Sequence, residues 1–194
     1  MMAMTDGVDL YWIPLGAGAG GALVRVSGRC YEAIAAVVER RQRQLLFHSA
    51  LEVRVDGATT TIEMTPVWVT RGERGVVAEG AVGLRQLGRW SIFRYEVRRW
   101  AGGSIPDAAH AIGGAVRITD DAAVARRVLD LVAMVPTATW GRDELGTGDM
   151  WNSNSVVSWS LARAGVVLDD VRPPDGGRAP GWLAGLAVAH TDIG

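Results

Sequence analysis

Residues 47–69 read FHSALEVRVDGATTTIEMTPVWV, and this stretch holds the clearest local pattern in the chain. Apolar and polar side chains alternate from Leu51 to Val55 and again from Thr61 to Met64, which is the two-residue period of half-buried strands. An Asp-Gly pair at positions 56 and 57 separates the two runs and is a strong signal for a tight turn. The sequence therefore predicts an antiparallel β-hairpin.

The register of this hairpin follows from the turn. If Asp56 and Gly57 are its central residues, Glu63 lies opposite Ala50. The apolar side chains then share one face: Leu51, Val53, Val55, Ile62 and Met64. A slip by one residue would divide this set between two faces. The same register makes His48 and Glu63 diagonal neighbours on the other face, about 7–8 Å apart and within reach of each other. A structural alternative is that Glu63 pairs with Arg54.

Other segments predict a mixed α+β fold, in which an antiparallel sheet or partial barrel packs against helices. LYWIP at 10–14 indicates a short strand, the glycines from Gly16 to Gly21 a loop, and the residues after Tyr31 an amphipathic helix that reaches Leu45. GRWSIFRYEVRRW at 88–100 predicts a strand with Phe93, Tyr95 and Val97 on one side. A further helix is predicted from Thr119 to Pro136. We interpret the arginines at 40, 41, 43, 94, 98 and 99 as solvated.

The stretch DMWNSNSVVSW at 149–159 places two asparagines and two serines before an apolar helix that ends at Gly165. These residues can cap the helix, since Asn and Ser accept hydrogen bonds from the free N–H groups of a first turn. They can also form a nucleophile site, because the same N–H groups stabilise an anion. Ser153 and Ser155 are the candidate nucleophiles, and Trp151, Asn152 and Asn154 are candidates for oxyanion or site-lining positions.

The amino-acid composition limits the classes of function that we expect for the chain. Apolar residues make up 48% and charged residues 21%, and the formal net charge is -1, so no global field attracts nucleic acid or an anionic membrane. One cysteine and three histidines are too few for an ordinary structural zinc site, and no cofactor fingerprint is present. We expect no metal, no cofactor, no nucleic-acid partner and no membrane span. A start without a basic, apolar signal favours the cytoplasm.

In order, the chain carries His48 at the start of a strand, Glu63 on the next strand with Pro66 after it, and the NSNSVV motif at a helix start. This order resembles the circularly permuted papain-like fold of the lecithin retinol acyltransferase and NlpC-type peptidase group. The resemblance spans residues 45 to about 165. It implies His48 as general base, Glu63 as the residue that orients it, and Ser153, or else Ser155, in place of the family's nucleophilic cysteine.

The serine at the nucleophile position leaves two functions open. One is an amide- or ester-cleaving hydrolase or acyltransferase with a serine nucleophile. The other is a non-catalytic papain-like module that binds a small-molecule or peptide-like ligand, or a protein partner. Cys30 precedes a predicted helix as well, but we interpret it as a buried structural residue. We expect one domain, residues 1–194, with a tail at 166–194 that wraps the core, and the sequence leaves the oligomeric state open.

Overall fold

A computed structural model describes residues 5–17, 42, 44–67, 75–105 and 107–191. It shows an α+β fold, in which six antiparallel strands form one open sheet with the order β4-β5-β3-β2-β1-β6. The strands are β1 (Gly7–Pro14), β2 (Phe47–Val55), β3 (Ala58–Pro66), β4 (Val76–Ala81), β5 (Arg94–Ala101) and β6 (Ala115–Thr119). The described helices are α1 (Ala122–Leu131), α2 (Ser153–Arg163) and α3 (Trp182–His190).

The predicted hairpin and its register are confirmed. β2 and β3 pair from Leu51 opposite Ile62 to Val55 opposite Ala58. Asp56 and Gly57 form the turn, and both have a positive φ, as the tightest hairpin turns require. The predicted apolar face lies in the main core, where the side chains of Leu51, Val53, Ile62 and Met64 are buried.

β2 and β3 stop pairing beyond Leu51 and Ile62, and the two halves of the sheet separate there. β2 continues beside β1 as far as Phe47 opposite Pro14, whereas β3 continues beside β5 as far as Pro66 opposite Tyr95. The β2–β3 ladder itself begins at Leu51, so the predicted pair of Ala50 and Glu63 lies just past its end. We call this opening between residues 47–50 and 63–66 the fork.

The backbone of residue 178 occupies the β2 side of the fork. The Phe47 N–H donates to the carbonyl oxygen of Arg178, and the Arg178 N–H donates to that of Leu45, each at 2.8 Å. The C-terminal segment therefore takes part of the place that β3 leaves free, and it brings the turn before α3 close to the start of β2.

The helix predicted from Thr119 begins three residues later, at Ala122. Thr119 ends β6 instead, and the Asp121 side chain caps the helix by accepting from the N–H groups of Ala123 and Val124. A short 3₁₀ turn, Val132–Met134, follows α1 before Pro136.

The structure shows α2 where the sequence predicts it, with Gly165 left-handed just beyond its end. The tail, in contrast, contains a helix that its irregular pattern did not indicate. α3 packs against α2 so closely that a Cβ at Gly185 would overlap the carbonyl oxygen of Ser155 and the hydroxyl of Ser158.

Two further expectations are corrected. Phe93 does not lie on the buried face of a strand, because 3₁₀ turns at Arg85–Arg89 and Ser91–Phe93 precede β5 and leave its side chain exposed. Arg98 is not solvated but 1% exposed.

Several predictions lie outside the described residues. They concern the helix after Tyr31, the loop beyond residue 17, Cys30, Trp68, Arg40, Arg41 and Arg43. Among the helices described, none is long and apolar enough to cross a membrane.

Candidate functional site

The first turn of α2 is capped by its own sequence. Asn152 is the N-cap residue, and its side-chain Oδ1 accepts from the Asn154 N–H at 2.9 Å. Ser155 completes a capping box, since its Oγ accepts from the Asn152 N–H at 3.0 Å. The Ser155 hydroxyl also donates to the carbonyl oxygen of Gly181 at 2.8 Å. With 0% exposure and these partners, Ser155 is a structural residue in this geometry.

Asn154 joins the helix start to the fork. Its Nδ2 donates to the carbonyl oxygens of Phe47 at 2.9 Å and Pro180 at 2.8 Å. Its Oδ1 accepts from the Ser49 hydroxyl at 2.8 Å. The amide of Asn152 likewise donates to Pro180. Both asparagine side chains therefore hold the backbone in place, and neither is free to act as an oxyanion donor.

Ser153 is the residue that these bonds leave free. Within the described parts of the chain, its hydroxyl makes no hydrogen bond, and its N–H, the first of the helix, has no acceptor. The N–H groups of the next two residues are taken by the Asn152 cap. Ser153 is 5% exposed and lies at the positive end of the helix dipole. A hydroxyl and an adjacent unpaired N–H are what a nucleophile and an oxyanion donor require.

His48 lies on β2 between the two residues that bind Asn154. Because side chains alternate along a strand, its imidazole projects from the opposite face to the Ser49 hydroxyl. Burial lowers the pKa of His48 to about 4, and the nearby Asp107 carboxylate opposes this by favouring the charged form. The imidazole is therefore neutral at pH 7, the state in which it can accept a proton. No hydrogen bond between described residues joins His48 to Ser153 or to Glu63.

Glu63 has a different partner from either of those predicted. Arg98 lies opposite it on β5 and donates to its Oε1 at 3.2 Å. Arg98 also donates to Glu96 at 3.0 Å, so one buried guanidinium serves two carboxylates. Burial raises the pKa of Glu63, while Arg98 lowers it. Arg54, the alternative partner for Glu63, is paired instead with Asp9 and Glu52.

Asp107 is the carboxylate that the sequence did not indicate. It precedes the 3₁₀ turn Ala108–His110 in the loop after β5. Its charge acts on both His48 and Glu63, raising the pKa of each, so these three groups lie near one another. The only local signal was an aspartate after a proline in GGSIPD, which is ordinary loop chemistry.

Trp151 does not line an open site. Its side chain is 1% exposed in the main core, and its backbone forms a bridge with Trp140. This bridge fixes the chain just before the N-cap of α2. The expected site-lining position is thus a core position.

A groove of about 600 Å³ lies beside the capped helix start. Its lining includes the apolar side chains of Leu168, Val171, Trp182 and Leu183, together with Asp149 and Pro180. The Asp149 carboxylate accepts from the Gly181 N–H at 2.7 Å, which ties the groove wall to the turn that receives the Ser155 hydroxyl. An elongated ligand in this groove would lie near the first turn of α2.

No protein-family model, no curated protein and no solved structure matches the chain. Within the described residues, no group of three or more His, Cys, Asp or Glu side chains could hold a metal ion.

Proposed function

We propose that the chain is a papain-like hydrolase or acyltransferase that acts on an amide or ester through Ser153. One observation carries this proposal: the polar groups at the start of α2 are used in structural bonds except for the hydroxyl and N–H of Ser153. Caps and a nucleophile occupy the same helix end, and the capping residues leave one serine available. The resemblance to the permuted papain-like group supports the same assignment.

The resemblance implies His48 as the general base, but the geometry does not bring its imidazole to Ser153. Asn154 holds the helix start against the face of β2 that carries the Ser49 side chain, and the His48 imidazole projects from the opposite face. The proton of Ser153 Oγ therefore passes to a base on the α2 side of the sheet as that oxygen attacks the substrate carbonyl carbon. The Ser153 N–H stabilises the negative oxygen that forms.

The leaving group departs with the proton that the base received. The bond between the carbonyl carbon and the leaving nitrogen or oxygen breaks, and an acyl group remains on Ser153. Water then attacks the acyl group in a hydrolase, or an acceptor hydroxyl or amine attacks it in an acyltransferase, and the base takes and returns one proton again.

Asp107, rather than Glu63, is the carboxylate that favours the imidazolium form of His48. Glu63 shares Arg98 with Glu96, which reduces the field of Glu63 at His48. We assign Asp107 as the charged neighbour of His48, and Glu63 as part of the buried ion pair that supports this face of the sheet.

Hydrolysis of p-nitrophenyl esters and p-nitroanilides tests the proposal. Ser153→Ala should reduce the rate at least 100-fold, and Ser153→Cys should keep measurable activity. Ser160→Ala is the matched control, because that buried hydroxyl bonds to the carbonyl oxygen of Val156 within the same helix. Its rate should stay within about twofold of wild type. Wild-type rates equal to the uncatalysed rates for both substrate types would contradict the proposal.

The second candidate is a non-catalytic binding module, and the groove favours it. Leu183, whose side chain is 66% exposed, offers apolar surface for a ligand whether or not Ser153 reacts. An apolar fluorescent dye such as anilinonaphthalene sulfonate should then bind the inactive chain, and Leu183→Glu should weaken binding at least tenfold. Dye binding that Leu183→Glu leaves unchanged would exclude the groove as the site.

A further inference from the structure

The segment between β4 and β5 exposes an unusual set of side chains. Four of the eleven exposed large apolar side chains in the described part of the chain lie within ten residues: Leu84, Trp90, Ile92 and Phe93. The two 3₁₀ turns of this segment contain no buried residue. We call residues 84–93 the apolar rim. Folding leaves these side chains in water, and clustered exposed apolar side chains commonly mark a binding surface.

The rim is also positively charged. Arg85 and Arg89 lie within it, it contains no acidic residue, and neither arginine forms an ion pair with a described residue. Arg89 stacks over Trp90, with 3.8 Å between the guanidinium carbon and the ring centroid. Arg94 follows the rim but is paired with Glu79 at 3.1 Å. The exposed surface of the rim therefore combines aromatic and aliphatic side chains with two guanidinium groups.

We propose that the apolar rim docks on an anionic lipid surface. Trp and Arg are suited to the level of lipid headgroups, where the indole bridges apolar and polar layers and the guanidinium binds phosphate. The aliphatic side chains of Leu84 and Ile92 suit the acyl boundary, but they offer no ring for stacking on nucleic-acid bases. Arg85 and Arg89 complement an anionic surface, although the charge of Arg85 also acts on the Glu144 carboxylate. A purely apolar protein partner would not use this charge.

The rim also lies near the start of α2. Val82, two residues before it, bridges to Trp140, and Trp140 bridges in turn to Trp151, beside the helix cap. Two strand spacings correspond to about 10 Å. Docking would therefore bring the lipid surface close to the helix that carries Ser153, but the inference does not rest on the proposed function, and its test requires no activity.

Co-sedimentation of the full chain with vesicles tests this inference. We expect at least tenfold tighter binding to phosphatidylcholine vesicles that contain phosphatidylglycerol than to phosphatidylcholine alone. Trp90→Ser with Ile92→Ser should weaken binding at least tenfold. Arg85→Gln with Arg89→Gln should weaken it about 25-fold, roughly fivefold for each charge, and high salt should have a similar effect.

The matched control is Met134→Ser with Val167→Ser, two side chains that are 64% and 80% exposed outside the rim. This variant should bind as wild type does. No sedimentation with phosphatidylglycerol vesicles would overturn the inference, as would equal losses in the control and rim variants. Self-association that the rim substitutions abolish, without vesicle binding, would identify a second copy as the occupant instead. A preference for a single-stranded oligonucleotide over vesicles would likewise overturn it.

Discussion

Asn154 and Ser49 lie 105 residues apart in the chain, and their side chains share a buried hydrogen bond of 2.8 Å between Oδ1 and Oγ. The other end of the same amide donates to Phe47 and Pro180. One side chain therefore fixes α2, β2 and the turn before α3 relative to one another. Ser153 directly precedes Asn154, so the position of Ser153 depends on these hydrogen bonds.

Replacing Asn154 by Asp should strongly destabilise the fold at pH 7. The substitution puts a carboxylate where the amide donates to the carbonyl oxygens of Phe47 and Pro180. We expect a cost of about 3–5 kcal/mol in the free energy of unfolding, measured by urea denaturation. Ser49→Ala is the control, because it removes one bond of the same amide and should cost about 1 kcal/mol.

The pH dependence of Asn154→Asp separates this account from a simple packing defect. The buried carboxyl should have a raised pKa, so the folded state binds its proton more tightly than the unfolded state does. Stability should therefore recover as the pH falls toward 5, because the neutral acid can donate one hydrogen bond. Wild-type stability at pH 7 for Asn154→Asp would contradict the assigned bonds.

His48 should make the protein less stable in mild acid. Its pKa is about 4 in the folded chain and near 6.5 when unfolded, so the unfolded state binds more protons between these values. Stability is lost as the pH falls through this window. Between pH 7 and pH 4, wild type should lose about 2–3 kcal/mol more than His48→Gln. Parallel pH curves for the two proteins would show that His48 is not buried as described.

The titration of carboxyl groups does not account for this difference between wild type and His48→Gln. Burial raises the pKa of Glu63 and Asp149, and their contribution to stability changes with pH in the opposite direction. Both groups are present in wild type and in His48→Gln, so their effect cancels when the two curves are subtracted.

Replacing Asp107 should change the pKa of His48 more than replacing Glu63 does. The Asp107 carboxylate favours the imidazolium, so Asp107→Asn should lower the pKa of His48 further. Glu63→Gln should leave the pKa of His48 near the wild-type value, because the Arg98 guanidinium, which also binds Glu96, offsets the negative charge of Glu63. Titration of the imidazole by NMR measures both effects. A larger change in Glu63→Gln would restore Glu63 as the orienting carboxylate.

Gly185→Ala should weaken the contact between α2 and α3. An added methyl group would overlap the Ser155 carbonyl oxygen and the Ser158 hydroxyl, and the backbone oxygen cannot move without shifting α2. We expect a loss of about 1–3 kcal/mol in thermal or urea unfolding. Leu183→Ala on the same helix is the control, since its side chain is 66% exposed and should change stability by about 0.5 kcal/mol or less. Equal stability of Gly185→Ala and wild type would contradict the close approach.

Local patterns predicted the fold where the structure itself is local. The β2–β3 register follows from an Asp-Gly turn and alternation over a few residues, and α2 follows from its cap and its terminal glycine. The helix α3 could not be predicted in this way. Its sequence WLAGLAVAH has no polar face, because contact with α2 leaves much of it buried.

The site was predictable in part. The resemblance favours Ser153 over Ser155 as the nucleophile position. The two serines also differ in the structure, because Gly181, 26 positions beyond Ser155, supplies an acceptor for the Ser155 hydroxyl. Glu63 had two possible partners on the hairpin, but Arg98 arrives from β5, which pairs with β3 on its other side. Long-range pairing also buries this arginine, although its sequence neighbours suggest a solvated strand face.

The most direct measurement of the central claim is the site of covalent modification by a fluorophosphonate probe. After treatment of the folded chain and proteolysis, mass spectrometry should find the adduct on Ser153, with Ser155, Ser158 and Ser160 unmodified. Labelling should disappear in Ser153→Ala and persist in Ser160→Ala. An adduct on Ser155, or none on any of these serines under conditions that label a control serine hydrolase, would contradict the claim that Ser153 is the free nucleophile.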